Sequence, residues 1–255
     1  MIDRTWILAA AVALLTSSTP AAAELHDSFG ELLAEHVEKG IVDYAGFQKD
    51  EARLDAYLAT IARTDVAKMS ADQKKAFWIN AYNAFTIKLI LNHYPGIESI
   101  KDIPRGDRWN WEGWIVGGEK QSLDAIEHEF LRPLGDPRIH FAINCASFSC
   151  PDLIAEAYRP ETLDEQLDRV TRAFFANEEK GLRFGMESGF LGGENPTVRV
   201  SEILFWFRED FERDGGDRIG FLLRYAPDAA QTFIAEHRGD LDLKKLDYDW
   251  SLNDE

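Results

Sequence analysis

The 255-residue sequence is poor in sulfur, with two cysteines and three methionines. Two cysteines allow at most one disulfide, so a multiply bridged scaffold is excluded and the fold must rest on an apolar core. Basic residues are scarce as well: 28 Lys and Arg stand against 45 Asp and Glu, a net charge of −17. Such an acidic surface repels phosphate backbones and argues against nucleic acid as a partner. After residue 23 no apolar run is long enough to cross a bilayer. Repeats, low-complexity tracts and linkers are lacking too, so residues 24–255 read as one domain with a sizeable core.

Residues 1–23 read as a targeting segment. Arg4 supplies the positive start, 6–15 is an apolar run too short to span a membrane, and Ala21-Ala22-Ala23 fits a small-residue cleavage site. Glu24 rather than cysteine follows the expected cut, which gives no lipid anchor. The expectation is an exported chain, periplasmic in a host with two membranes and secreted otherwise. Stable membrane insertion is not expected once the segment is removed.

The most informative stretch is 138–151. Ile139, Phe141 and Ile143 alternate with His140, Ala142 and Asn144, which predicts a buried strand over 138–144 with His140 and Asn144 on one face. Cys145 falls just past its end, where a turn can present a thiol. Cys150 follows five residues later. An oxidising compartment favours a Cys145–Cys150 bridge, and the sequence leaves bridge and free thiols both open. So small a ring adds little to global stability, because the gain grows with loop length.

Apolar spacing predicts helices over 26–39, 50–63, 71–94, 123–132, 161–177, 203–211, 217–225 and 227–237. A strand over 114–116 before Gly117-Gly118, a hairpin of 182–184 with 197–200, and a final strand through Leu246, Tyr248 and Trp250 complete the reading. The fold class is α+β: a helix-rich single domain with a small, mostly antiparallel sheet. The loop 97–113 carries Trp109 and Trp111, which line a groove or cap the core.

Helix 71–94 has the clearest ends, with Ser70 and Gln73 as a capping box and Pro95-Gly96 as a stop. Apolar residues cover most of its circumference, with Asn80 and Asn83 in their midst. A buried amide needs partners. These two either tie neighbouring loops or orient a catalytic group and donate to an oxyanion. In helix 123–132 the inner face of Leu123, Ile126, Phe130 and Leu131 includes Glu127, with His128 at its edge. A carboxylate there is a structural ion-pair partner, a general base, or the group that orients a histidine.

The blocks Phe77-Trp78-Ile79-Asn80-Ala81-Tyr82-Asn83-Ala84, Ser122-Leu123-Asp124-Ala125-Ile126-Glu127-His128, and Asp136 through Ser147 with Ser149-Cys150-Pro151 resemble one family, the domain-of-unknown-function family 547. The likeness runs from about residue 70 to 177 and implies no particular activity. A long buried helix followed by strands carrying histidine is also similar to papain-like and transglutaminase-like folds. Those folds place the cysteine at a helix N-terminus, where this chain has none.

Four functions fit these residues. In the first, Cys145 is a nucleophile (Cys150 the second candidate), His140 or His128 is its base, and Glu127, Asn80, Asn83 or Asn144 orients that base. Acyl transfer or amide hydrolysis, for example on cell-wall peptides, is then the reaction. In the second, a non-catalytic periplasmic domain, held by a Cys145–Cys150 disulfide, binds a ligand or partner. The third is thiol–disulfide exchange, although four residues rather than two separate the cysteines. The fourth is metal binding by Glu127, His128, His140 and a thiolate, without a helical His-x-x-x-His. No cofactor is called for, and the expected partner is a small molecule or a peptide.

Overall fold

The computed structural model describes residues 24–188 and 192–255. The expected targeting segment and Gly189 of the hairpin connection lie outside these residues. The chain is a helix-rich α+β domain, in which one cluster of buried apolar side chains runs from Leu25 to Ile234. The central helix, Ala71–Leu91, begins at the Ser70–Gln73 capping box read from the sequence. Phe77, Ile79, Ala81, Ala84 and Ile90 are wholly buried in it. Burying each large side chain contributes about 1.5–3 kcal/mol, so this helix is the main organiser of the core. Tyr44–Lys49 and Glu51–Ile61 pack beside it, and Asp27–His36 packs on those two. Leu163–Ala176, Arg218–Tyr225 and Asp228–Glu236 form a second helical group.

The sheets are small. Trp114–Val116 pairs antiparallel with Glu119–Gln121. Leu182–Ser188 pairs antiparallel with Glu194–Val200, longer than the predicted hairpin. The third strand of that sheet is Asp242–Lys245, parallel to Glu194–Val200. The final strand expected through Leu246, Tyr248 and Trp250 is not formed. That tail is held instead by isolated bridges, Ser251 to Ser99, Leu252 to Ser147 and Asp254 to Val42. Its alternation reflects a ribbon laid across the domain, with Leu246 buried and Asp247 and Asp249 outward.

The strand expected over 138–144 is also absent. Pro137–Phe141 is a 3-10 helix, and the chain then runs irregularly to Cys150. Asp136 caps this turn by accepting the Arg138 N–H at 3.1 Å, and Pro137 supplies a φ suited to a helical start. Arg138 is clamped by Asp136, Asp164 and Asp168. The apolar alternation misleads because Ile139, His140 and Phe141 are all buried.

Two predicted helices are interrupted near these residues. The helix from Leu123 changes to a π-helix over Ile126–Leu131, a form often found at functional sites. The aromatic helix 203–211 splits into Ile203–Trp206 and Arg208–Phe211, with Phe207 outside helical geometry (φ −108°, ψ 30°).

Candidate active site

A cavity of about 330 Å³ opens between the 3-10 turn, the π-helix, the broken aromatic helix and the C-terminal tail. Cys145, Cys150, His140, His128 and Glu127 all line it. Four of the six predicted site residues thus share one cavity. Asn80 and Asn83 do not line it.

Both asparagines tie loops. Asn80 donates to the Tyr158 carbonyl at 2.8 Å and accepts the Tyr158 N–H at 2.9 Å. Asn83 does the same for the loop that carries Cys145, donating to the Ala142 carbonyl at 3.0 Å and accepting the Asn144 N–H at 2.8 Å. Asn144 continues this lacing: its side chain accepts from Ala146 N–H at 2.8 Å and donates to the Pro151 carbonyl at 2.7 Å. From the other side the tail supplies Asn253 N–H to the Ala146 carbonyl at 3.2 Å. Ala146 sits at φ 63°, a left-handed conformation costing a non-glycine residue roughly 1–2 kcal/mol. The surrounding bonds hold this strained turn, and with it the sulfur, in one position.

Cys145 and Cys150 are free thiols, so the disulfide weighed from the compartment is not formed. The Cys145 N–H donates instead to Cys150 Sγ at 2.9 Å. Cys145 Sγ lies 3.0 Å from Ser147 Oγ and 3.5 Å from the Tyr248 hydroxyl. The Cys150 thiol beside it, with further help from Ser147 and Tyr248, outweighs burial and lowers the Cys145 thiol to about 7. Cys150 is pushed the other way, chiefly by burial. Cys145 is also the partly exposed member of the pair, and a thiol needs such access to react.

Neither histidine hydrogen-bonds Cys145; each is held elsewhere. His128 is exposed, and its Nδ1 accepts from Arg132 Nη1 at 2.6 Å. That bond occupies the lone pair a base would use. His140 has a side chain only 1 % exposed, and its Nε2–H donates to Asp210 Oδ2 at 2.8 Å. Its Nδ1 makes no hydrogen bond, with Glu127 Oε1 3.5 Å away. The ring stacks on Phe207, centroids 4.0 Å apart, at the residue where the aromatic helix breaks. Burial works against charge on this ring. The bond to Asp210 and the nearby Glu127 carboxylate outweigh it and raise the His140 pKa. Asp210 also accepts from Arg132 Nε at 2.6 Å and from Arg213 Nη2 at 3.0 Å. Burial alone would raise the Asp210 carboxyl, but these donors drive it well below the ordinary range.

Asp210 thus holds the His140 ring, where the sequence suggests Glu127 or an asparagine. One signal was available: Asp210 falls among Ile203, Leu204 and Phe211 on a buried face. Tyr248 was equally missed as a contact of the thiol, although its alternation with Leu246 and Trp250 was visible. The four groups suggested for a metal do not converge as ligands. Among the described residues the cluster close enough to hold an ion is Glu35, His36 and Asp50. Arg53 already pairs with Glu35 there, and His36 with Asp50.

Fold and cavity define a helix-rich α+β domain that presents a laced thiol and a carboxylate-held imidazole to one cavity. Residues 66–175 match the family described as protein of unknown function, DUF547. No curated protein and no solved structure matches the chain. Cys145, His140, His128 and Glu127 lie inside the matched segment, whereas Asp210 and Tyr248 come from beyond it. Among the described residues no helix is long and apolar enough to cross a membrane.

Proposed function

We propose that the protein is a cysteine-dependent acyltransferase or amide hydrolase, with Cys145 as nucleophile, His140 as proton donor and acceptor, and Asp210 as the group that orients His140. The observation that carries this reading is the orientation of His140: Nε2 is bound to a buried carboxylate, while Nδ1 is unbonded in a ring that lines the same cavity as the thiol. A nucleophile, a base and an orienter make the constellation that thiol catalysis requires, and the first contact is often loose without substrate.

The Cys145 thiolate attacks the acyl carbon, and the carbonyl electrons move onto oxygen. The Tyr248 hydroxyl, already beside the sulfur, is the donor placed to meet that oxyanion. When the intermediate collapses, the C–N bond breaks and protonated His140 gives its Nδ1 proton to the departing amine. A thioester on Cys145 remains. Water, or an acceptor amine, then attacks the thioester, His140 takes the proton, and the thiolate is released.

Incubation with 4-nitrophenyl acetate tests this. One equivalent of nitrophenol should be released in a burst, with an acetyl group on Cys145 in the peptide map, and Cys145→Ser should lose the burst. Acetylation confined to lysines would sink the proposal. A second reading, a non-catalytic binding domain, is favoured by the missing thiol–imidazole bond and by the aromatic lining of Trp109, Trp206 and Trp250. It predicts no burst. Export is part of the proposal and rests on the composition of residues 1–23; N-terminal sequencing should find the mature chain starting at Glu24, and retention of residues 1–23 would contradict export.

A further inference from the structure

Three cations gather near the mouth of the cavity. In a chain with 45 acidic and 28 basic residues, most cations of the described residues lie against carboxylates. Lys101, Arg105 and Arg108 do not. Arg108 spends its guanidinium on two carbonyls, Ile103 O at 2.5 Å and Lys101 O at 2.8 Å. Lys101 lies over the Trp250 ring, 3.6 Å from its centroid. Burial and then the nearby Arg108 charge lower its pKa, against smaller opposing effects of Cys145 and Glu202. Arg105 is exposed, lines the cavity, and has no partner among the described residues. The carboxylates on the cavity wall are engaged elsewhere: Glu127 faces His140 at 3.5 Å and Asp124 faces His128 at 3.7 Å.

From this juxtaposition we infer that the substrate carries a free carboxylate, which docks on Arg105 at the mouth, with Lys101 and Arg108 reinforcing the field, while its acyl carbon reaches Cys145. One unengaged guanidinium matches one carboxylate, which it can grip with two parallel N–H bonds. The body of the substrate lies between, on the Trp109–Trp250 wall, whose rings stand 6.2 Å apart. A cleft focusing one sign of charge raises the local concentration of the opposite ion. In so acidic a protein, that focus also stops the general field from excluding an anionic substrate.

The inference rests on Cys145 being the reactive group, and its test separates the two claims. Cys145 is alkylated with 4-maleimidobutyrate, which ends in a carboxylate, and with neutral N-propylmaleimide. The ratio of the two rates is divided by the same ratio for free cysteine. The expected value is about tenfold in favour of the anion, falling to or below one in Arg105→Glu and shrinking as salt is raised on the unaltered protein. Arg105 is exposed and unpartnered, so the variant should fold; Arg105→Ala, expected to give an intermediate ratio, guards against a defect from the new acid. A ratio near one that neither variant nor salt moves would overturn the carboxylate site while leaving the nucleophile standing. Failure of both reagents to modify Cys145 would remove the nucleophile and this inference with it.

Discussion

Asp210→Asn is expected to disable the site and to destabilise the fold together. The carboxylate accepts hydrogen bonds from His140, Arg132 and Arg213 while only 6 % exposed. An amide of the same shape offers one acceptor and turns its NH2 toward donors that need acceptors. Removing one partner of a buried charged network costs on the order of 3–5 kcal/mol, readable as a lower denaturant midpoint at constant slope.

The pH dependence of that loss follows from the two shifts. The folded His140 pKa is raised above the 6.5 of the unfolded chain, so its share of stability is complete below about 6.5 and is lost as pH rises through the folded value. The folded Asp210 pKa is depressed below 3.8, so its share is present above that value and is lost as pH falls through the folded one. The stability gap between the natural protein and Asp210→Asn should be widest between about pH 4 and 6.5. It should narrow toward alkaline pH, though not to zero, since Arg132 and Arg213 stay charged. A gap independent of pH would mean that His140 is not charged by its partners.

The second prediction concerns Tyr248. Its hydroxyl lies 3.5 Å from Cys145 Sγ and accepts from Ser147 Oγ at 3.3 Å, so Tyr248→Phe deletes one donor to the thiolate and the acceptor of the Ser147 hydroxyl. The ring still packs between Trp206 and Trp250, centroids 4.8 and 4.5 Å away, and stability should hardly change. The Cys145 pKa should rise from about 7 toward the ordinary thiol value. Each unit of that rise lowers the thiolate fraction at neutral pH up to about tenfold, and the alkylation rate with it. If Tyr248 also meets the oxyanion, acylation by the nitrophenyl ester should fall further than alkylation does. Equal losses in the two reactions would assign Tyr248 to the thiolate alone.

Much of the architecture was legible because helices announce themselves locally. The capping box at Ser70 and Gln73 and the apolar girth of 71–91 needed no tertiary information. Glu127 could be placed inward by angle alone. The turn 137–141 was misread because period two is a signal only when one face is wet, and here His140 is as buried as Ile139. The cysteine loop was legible as a place and not as a shape, since its form comes from Asn83 and Asn253, 59 residues before Ala142 and 107 after Ala146. Asp210 and Tyr248 stayed hidden for the same reason. Their roles exist only through contacts across 70 and 103 residues of chain, and no local pattern encodes a meeting at that distance.

The account stands on Cys145 being an activated thiol at neutral pH. The direct measurement is its alkylation rate by iodoacetamide in the native protein between pH 5 and 10, followed by mass spectrometry of the Cys145 peptide. The predicted profile rises with a midpoint at about 7 while buried Cys150 stays unmodified. A midpoint at the ordinary thiol value of about 8.5, or a Cys145 that reacts only after denaturation, would contradict it.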